Sequence, residues 1–581
     1  MHRIGFNRWK RLPTQELLTS LLSKTSYGSY GAPMAMITGG QAVAETLASL
    51  GVTRVFGIVS VHNLPIYDAL SLHPDIEVTN VRHEQAAAHA ADAYSRVTGG
   101  LGVILTSTGP GAVNAIAGIY EAAFVSSQLL MITGQIESRF RGKAKGFLHE
   151  YEKQPDMLGS VCRAVASVRY TEDISKDIAG VVDDIRRGRP QPGAVEIPID
   201  LQYRTAEVRI VGSPDAERLS PDENLLDQAA ELLQQAERPI IWAGGGVNIS
   251  GAANELTALA ERLGAPVVTT IEGRGSISEA HELSLGFRTD RMLGMEIFEE
   301  ADVVFAVGTR FQNYATRVWT LPMPENLVHV DVDPGVIGRN YSASVAVVGD
   351  AKLALQGMLD RIDDGNVDEQ FVDRCRKIRT ADEQAVQEEI GADHSQIVSI
   401  IRRLLPDACP VVRDSTVPGY TWGNRLLQIV RSRTSIRPAA VAIGPGLPLA
   451  MGAAIGSETH ALLVQGDGGL QLSIGELSAC AEHQIPVIVL VFNDSGYNIL
   501  RIIQDNVLGR KHGTELPTVD FVAVAEGMGV DAERVEGVDQ FEPALQRALD
   551  RPGPTLLDID MEFLAPIQLP LPAHQRARDD D

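Results

Sequence analysis

The sequence is poor in cysteine, in aromatic residues and in long apolar runs. Its 581 residues include four cysteines without CxxC or metal-ligand spacing, at positions Cys162, Cys375, Cys409 and Cys480. Such cysteines are typical of reduced structural thiols, which favours a cytoplasmic protein over a disulfide framework or a zinc site. Aromatic residues make up 5% of the chain, so we expect aliphatic cores of the kind that buried parallel sheets prefer. No apolar run approaches the roughly 18–20 residues that a membrane span needs.

Positive charge is also scarce. The chain carries 51 Lys and Arg against 75 Asp and Glu, a net charge of −24. This balance argues against nucleic acid or an anionic membrane as the main partner, because both need a basic surface. A small anionic substrate would instead need local positive charge. The length exceeds what one core usually supports, and three domains of roughly 140–175 residues fit it.

Alternating strand and helix patterns predict an α/β protein with three doubly wound parallel sheets. A stretch with proline and charged residues, 205–223, is expected to link the first two domains, and a charged helical connector, 363–393, to lead into the third. The predicted division is an N-terminal extension at 1–35, domains at 36–205, 222–362 and 394–567, and a tail at 568–581.

Two turns in the third domain carry carboxylates 27 residues apart. Gly466-Asp467-Gly468-Gly469 is followed by a helical stretch and an apolar strand, which ends in Asn493-Asp494-Ser495-Gly496. Turns after parallel strands open on one sheet edge, where such sheets bind ligands. The glycines let backbone N–H groups approach a phosphate, and Mg²⁺ would bridge Asp467, Asp494 and a carbonyl near Gly496 to diphosphate oxygens. A GDG sequence by itself also occurs in purely structural turns.

This spacing resembles the diphosphate motif of thiamine-diphosphate-dependent enzymes, in which GDG is followed after about 26 residues by two asparagines. The second asparagine is Asp494 here, which adds a negative charge beside an anionic diphosphate. The segment from Arg82 to Gly99 similarly resembles the family's R-H-E-x-A-A motif, and Thr106–Asn114 resembles its pyrimidine domain. The similarity extends from about residue 36 to about residue 563 and is strongest to the acetolactate synthase-like and 2-oxo acid decarboxylase group.

The resemblance implies catalytic roles for Glu84 and Gln135. Glu84 would contact N1′ of the aminopyrimidine, in an apolar pocket that favours its protonated form. Gln135 would hydrogen-bond to reaction intermediates. The other interpretation of Glu84 is a carboxylate placed in a first helical turn, where it suits the helix dipole.

The resemblance also implies a set of residues that bind the cofactor. The stretch from Val441 to Pro448 resembles G-x-Φ-G-x-G-L-P (Φ apolar), with Val441 in place of the first glycine. Ile443 would lie beneath the bent cofactor, unless it only packs a strand end on a helix. The remaining expected contacts are the Gly444 backbone at the pyrimidine, and Ser415, Thr416, Gly466, Gly468 and Gly469 at the diphosphate.

The substrate side departs from the family pattern. Synthases often continue the first strand as V-F-G-x-P-G-G, whereas Val59, Ser60 and Val61 replace Pro-Gly-Gly here. His62 either acts as an acid/base group or carboxylate ligand, or is a loop histidine bonded to backbone, and the same two interpretations apply to His149. The substrate candidates are Val61, His62, His149 and Tyr497. For Tyr497 the alternative interpretation is packing on a helix face.

The resemblance implies an enzyme that needs thiamine diphosphate and Mg²⁺ and decarboxylates a 2-oxo acid with carboligation to a second carbonyl. The alternatives are a simple decarboxylase releasing an aldehyde, an FAD-linked oxidase of the same family, and a binding protein without turnover. The triple glycine Gly244–Gly246 lacks GxGxxG spacing, so FAD is not favoured. The family's cofactor spans two subunits, which implies a homo-oligomer, at least a dimer, with a tetramer expected.

Overall fold

The computed structural model describes residues 34–212 and 217–568, with the backbone alone at 292 and 293. It contains three six-stranded sheets in which all neighbouring strands are parallel. Helices cover both faces of each sheet, so the predicted α/β class is confirmed. Most of the predicted N-terminal extension and tail lies outside the described residues. In the described part of the chain, no helix has the length and apolar character needed to cross a bilayer.

The first domain is built around an Ala-rich helix and a central apolar sheet. Its strands are β1 Met34–Thr38, β2 Arg54–Gly57, β3 Glu77–Asn80, β4 Gly102–Thr106, β5 Leu129–Gln135, β6 Ala164–Ser167, β7 Gly193–Pro198 and β8 Thr205–Arg209. Its helices are α1 Gly39–Ser49, α2 Leu64–Ser71, α3 Glu84–Thr98, α4 Pro110–Val125, α5 Gln154–Gly159, α6 Ile174–Arg186 and α7 Ile199–Tyr203. The sheet order is β3-β2-β4-β5-β7-β6. The chain therefore reverses its winding between β2 and β4.

The predicted linker at 205–223 is wrong at its first residues. Thr205–Arg209 forms β8, which pairs antiparallel with β1 and places Thr38 opposite Thr205. Val208 is fully buried against the first domain, while its two neighbours in this short strand are exposed. The buried valine therefore stabilises the edge of the domain. Proline and charge alone did not reveal this pairing, because the partner strand lies about 170 residues earlier.

The middle domain has the same architecture. Its strands are β9 Pro239–Ala243, β10 Val267–Thr269, β11 Ser284–Gly286, β12 Val303–Val307, β13 Asn326–Asp331 and β14 Val345–Val348. Its helices are α8 Glu223–Gln235, α9 Gly245–Ser250, α10 Ala253–Leu263, α11 Met292–Glu300 and α12 Ala351–Leu359. The sheet order is β11-β10-β9-β12-β13-β14. The predicted charged connector forms most of the long helix α13 Glu369–Leu404, which bends at Gly391, where φ is +76°.

The third domain continues from α13. Its strands are β15 Val411–Arg413, β16 Ser435–Ile436, β17 Ala461–Gly466, β18 Val487–Asn493, β19 Asp531–Val535 and β20 Thr555–Asp560. Its helices are α14 Gly446–Ser457, α15 Asp467–Gln471, α16 Glu476–His483, α17 Asn498–Leu508, α18 Phe521–Gly527 and α19 Val538–Asp550. The order β16-β15-β17-β18-β20-β19 places the reversal between β15 and β17. The turns after these two strands therefore flank a crevice of the kind that binds ligands.

The first and third domains share one apolar core. A continuous cluster of buried side chains includes Ala87 and Ala90 of α3 and Leu447 and Ala450 of α14. The two helices approach so closely that a Cβ on Gly452 would lie 1.9 Å from the Ala90 carbonyl oxygen. Small residues on both helices thus allow backbone contact between the domains that carry Glu84 and Asp467.

Candidate active site

The turn after β17 is shaped to let backbone approach a ligand. Asp467 is 2% exposed and begins the short helix α15. A Cβ on Gly468 would lie 2.6 Å from the Tyr497 ring, and one on Gly469 would lie 3.2 Å from a carboxylate oxygen of Asp414. Larger side chains would therefore crowd their neighbours, so the two glycines are required by space, although neither has a positive φ.

Asp467 lies near enough to Asp494 to affect its ionisation. Burial raises the pKa of Asp467, and burial together with the charge of Asp467 raises the pKa of Asp494 to about 6. Arg501 lies 3.6 Å from an Asp494 carboxylate oxygen and donates hydrogen bonds to the carbonyls of Asp494 (3.0 Å) and Ser495 (2.6 Å). This arginine offsets part of the extra charge that Asp494 brings.

Asp414 anchors the loop that carries Ile443. Its buried carboxylate accepts hydrogen bonds from the backbone N–H groups of Gly444 (3.0 Å) and Gly446 (3.1 Å) and from Gln465 Nε2 (2.6 Å). Burial raises the pKa of Asp414 to about 6, against the effect of these hydrogen bonds. Because the Gly444 N–H is bonded to Asp414, the carbonyl is the backbone group of Gly444 that remains available to a ligand. Asp414 was not among the residues predicted from the sequence, although a polar residue directly after a strand was an available signal.

The same loop holds a β-branched residue in an unfavourable conformation. Val441 has φ +63° and is half-exposed, in a region that L-residues with branched side chains rarely adopt. The Ser415 hydroxyl donates to the Ala442 carbonyl at 2.9 Å, so its predicted bond to a diphosphate would require this proton to change partner. Val441 stands where the family motif has glycine, which suits a positive φ.

A narrow cleft of about 40 Å³ joins these elements. Of the predicted cofactor, metal and substrate residues, the structure brings together around it those at or after the ends of β15, β16, β17 and β18. They are Ser415, Thr416, Ile443, Gly466, Asp467, Gly468, Gly469, Asp494, Gly496 and Tyr497. Gly444 lies next to this group, where its φ of +100° and the nearby Leu472 side chain leave no room for a Cβ.

Glu84 lies at the start of α3 in the first domain, outside this cleft. The side chain is partly buried, and one carboxylate oxygen accepts a hydrogen bond from Asn114 Nδ2 at 3.0 Å. A Cβ on Gly111 would lie 3.0 Å from the other oxygen. The Thr106–Asn114 segment therefore packs directly on Glu84, as the adjacency of the two motifs requires.

His62 and His149, which were predicted separately, have their rings in contact, tilted by 35°. Their ring centroids are 5.1 Å apart, and both Nδ1 atoms are buried without a hydrogen-bond partner. Burial, together with the nearby His149, lowers the pKa of His62. Gly109 packs against the His149 backbone and Gly111 against the Glu84 carboxylate, so one turn, Gly109–Gly111, contacts both His149 and Glu84. Val61 beside them is 64% exposed and is free to meet a ligand or a partner.

Gln135 is engaged inside the first domain. Its Nε2 donates to Glu196 at 3.0 Å, and its Oε1 accepts from the Ile136 N–H at 2.8 Å. Gln154 donates to the same carboxylate at 3.0 Å. Because Gln135 is 2% exposed, it reaches no open surface in this chain, and its contact with a reaction intermediate stays a prediction.

Comparisons with known proteins match this arrangement along most of the chain. Three models of thiamine pyrophosphate enzymes match: the N-terminal TPP binding domain at residues 37–157, the central domain at 226–358 and the C-terminal TPP binding domain at 419–559. The chain belongs to the thiamine pyrophosphate enzyme family. Within it, the chain resembles the acetolactate synthase-like and 2-oxo acid decarboxylase group.

Three relatives illustrate that likeness. A probable acetolactate synthase large subunit of Methanocaldococcus jannaschii is 30% identical over 90% of this chain and 91% of its own length. The acetolactate synthase large subunit of Corynebacterium glutamicum is 30% identical over 91% and 87%. A probable 2-ketoarginine decarboxylase of Pseudomonas aeruginosa is 32% identical over 91% and 94%. Similarity at this level extends to both synthases and decarboxylases.

The residues of this thiamine pyrophosphate enzyme fit the diphosphate end of the cofactor. Two carboxylates share a cleft with a glycine turn in which an added Cβ would meet neighbouring atoms. This arrangement suits a cation bound to phosphate oxygens. In the described part of the chain no group of three or more His, Cys, Asp or Glu side chains suits a metal ion. A cation here would therefore need backbone and cofactor oxygens to complete its coordination.

A larger cavity of about 600 Å³ lies where the middle domain meets the other two. Gly245 and Gly246 after β9 and Gly308 and Thr309 after β12 line it at the reversal point of the middle sheet. Burial, followed by the nearby Arg189, lowers the pKa of Arg310 in its wall. The predicted glycine turn thus opens on a space large enough for a small-molecule ligand.

Proposed function

We propose that this thiamine pyrophosphate enzyme decarboxylates a 2-oxo acid and joins the product to a second carbonyl compound, with Mg²⁺ as the metal. The observation that carries the proposal is the cleft in which Asp467 and Asp494 face a glycine turn and the Ile443 loop. The full-length likeness to two acetolactate synthase large subunits supports the reaction type.

The chain's residues divide into groups that hold the two ends of thiamine diphosphate. Asp467, Asp494 and the Gly496 carbonyl would bind Mg²⁺, while the backbone of the glycine turn and the Ser415 and Thr416 hydroxyls would contact the diphosphate. Ile443, which is 40% exposed at the cleft, would support the cofactor's bent shape. Glu84 would hold a proton at N1′ of the aminopyrimidine. Bound in this way, the cofactor supplies an electron sink for the carbon next to the substrate carbonyl.

The histidine pair is the best candidate for substrate recognition. With its pKa lowered by burial and His149, His62 is neutral near pH 7, and an unpaired ring nitrogen is able to accept or donate a hydrogen bond. Tyr497 beside the metal turn, Val61 beside the pair, and Gln135 complete the proposed set. The exposed apolar side chains of Val59, Val61 and Leu148 in this region support burial against a second copy, hence at least a dimer.

Two alternatives have specific support. A simple decarboxylase that releases an aldehyde is supported by the relative named as a probable 2-ketoarginine decarboxylase. An FAD-linked oxidase is supported by the middle-domain cavity and its glycine lining. Purified oxidase would be yellow with flavin absorbance, and colourless active protein would eliminate it.

The deciding experiment is incubation of the protein with thiamine diphosphate, Mg²⁺ and a panel of 2-oxo acids, with and without aldehyde or 2-oxo acid acceptors. CO₂, aldehydes and 2-hydroxy ketones or acids are quantified. We expect cofactor-dependent CO₂ release with a ligated product. An aldehyde in stoichiometric yield with CO₂ would establish the simple decarboxylase, and absence of CO₂ from every acid would reject the proposal.

A further inference from the structure

A buried carboxylate of the third domain contacts the backbone just before Glu84. Glu476, the first residue of α16, is 2% exposed. Its two carboxylate oxygens lie 3.0 and 3.1 Å from the backbone nitrogen of Arg82, which donates the hydrogen bond. Arg82 precedes the first residue of α3 by two positions, so this contact fixes the chain where it enters the helix.

The same helix contacts this segment at a second point. The Asn80 N–H donates to His483 Nε2 at 2.9 Å. The Arg82 side chain adds surface contacts, to Ser478 Oγ at 2.9 Å and to Glu482 at 2.5 Å. The buried Glu476 and the half-buried His483 therefore hold the backbone, whereas an exposed ion pair holds only the arginine side chain. This division allows the two kinds of contact to be separated by mutation.

Glu476 is an unfavourable residue for a contact that only joins two domains. Burial raises its pKa to about 7, and the N–H groups of Arg82 and His83 act against that rise. Burying a carboxylate costs free energy unless it is hydrogen-bonded, whereas an apolar side chain would join the domains without that cost. The geometry instead suits an acceptor that fixes two successive backbone N–H groups ahead of α3.

We propose that Glu476 is a positioning residue that fixes Glu84 for its contact with the cofactor. The inference rests on the proposed function in that Glu84 is taken as the group at the aminopyrimidine. Glu476 belongs to the domain that carries the Asp467 turn, and only nine residues separate the two carboxylates along the chain. Through this contact, the domain that binds diphosphate sets the position of the glutamate in the neighbouring domain.

The test compares Glu476→Gln with Glu482→Gln, a matched control that removes the exposed ion pair to Arg82. In cofactor-free protein, backbone amide hydrogen exchange is measured by mass spectrometry on peptides covering residues 80–86. We expect faster exchange at Arg82 in E476Q and unchanged exchange in E482Q, because Gln keeps only one of the two acceptor oxygens.

Kinetics supply the second measurement. A small displacement of Glu84 is expected to lower kcat for CO₂ release by about 10- to 100-fold. The thiamine diphosphate concentration for half-maximal activity is expected to stay within about threefold, because the Asp467 turn is untouched. E482Q is expected to match the unmodified protein in both quantities. Should E476Q fail to fold, Glu476→Asp, which keeps the charge but shortens the reach, is measured in its place.

The outcomes separate this inference from the proposed function. Unchanged amide exchange and unchanged kcat in a folded Glu476 variant would overturn the positioning role. Normal kcat with weakened cofactor binding would also overturn it, because Glu476 would then act on the diphosphate domain. If the unmodified protein releases no CO₂ from any 2-oxo acid, the proposed function fails, and amide exchange alone decides whether Glu476 holds the start of α3.

Discussion

Asp467 and Asp494 follow two neighbouring strands of one sheet, whereas Glu84, His62 and His149 come together from a helix terminus and two loops of another domain. At the diphosphate end the cleft is narrow, and each glycine is fixed by contacts that a Cβ would break. In the first-domain region, Val61 and Leu148 are more than 60% exposed. The residues of the first region lie together around one cleft of a single chain, while the second retains apolar surface that a ligand or a partner would cover.

The largest expected effect tests whether chemistry belongs to the first-domain region. Glu84→Gln should lower CO₂ release by at least about 100-fold, because the amide cannot hold the proton that general acid–base catalysis needs. The fold should survive, since glutamine has the same shape and Asn114 is able to reorient its amide. Release is measured alongside circular dichroism and Tm, and undiminished release would remove Glu84 from the mechanism.

Asp467→Ala tests the other region through binding. Loss of one of two carboxylates should weaken cofactor retention by about 100-fold, and excess Mg²⁺ should repair it only partly. Retention is measured by equilibrium dialysis with thiamine diphosphate over a range of Mg²⁺ concentrations. Asp505→Ala, which changes an exposed carboxylate paired with Lys511, is the control. Unaltered retention in the Asp467 variant would mean that the metal binds elsewhere.

The histidine pair should give a smaller, substrate-dependent effect. His62→Ala or His149→Ala is expected to lower kcat/KM by about 10- to 100-fold with cofactor binding unchanged, and exposed His512→Ala should have no effect. The folded pKa of His62 lies below 6.5, so the unfolded chain binds protons first and stability falls as the pH drops below about 6.5. The His62 variant should lose that part of the pH dependence of Tm. Equal loss of activity in all three variants would contradict a specific role.

Arg501→Met tests whether the extra charge of Asp494 is compensated locally. The arginine lies 3.6 Å from that carboxylate, so its loss should leave an uncompensated negative charge beside the diphosphate and weaken thiamine diphosphate binding severalfold at a fixed Mg²⁺ concentration. In an Asp494→Asn background the same substitution should matter less, with a coupling of about 1 kcal/mol between the two sites. Additive effects would mean that Arg501 only stabilises the turn through backbone carbonyls.

The comparison also explains what the sequence could and could not predict. The α/β class and the strands before the two carboxylates were predictable, because apolar runs and glycine turns are local signals. The contact between His62 and His149 was not, since it depends on how two loops 87 residues apart pack, the first on Gly134 and the second on Gly109. The contacts that Asp414 and Glu476 make were missed for the same reason, because each accepts hydrogen bonds from backbone N–H groups that are distant in sequence, although the place of Asp414 directly after β15 was a local signal. The strand Thr205–Arg209 was missed because its partner is at the other end of the domain.

Val441 tests whether the loop that carries Ile443 is held in its observed backbone conformation, and this prediction has the smallest expected effect. Its φ of +63° costs an L-residue roughly 1–2 kcal/mol, and because the side chain is half-exposed, truncation removes little apolar burial. Val441→Gly should therefore be more stable than Val441→Ala by about 1 kcal/mol, although alanine is normally the more stable of the two residues. Tm of both variants is measured without cofactor. A higher Tm for the alanine variant would mean that the loop relaxes out of the left-handed region and that Asp414 does not hold it there.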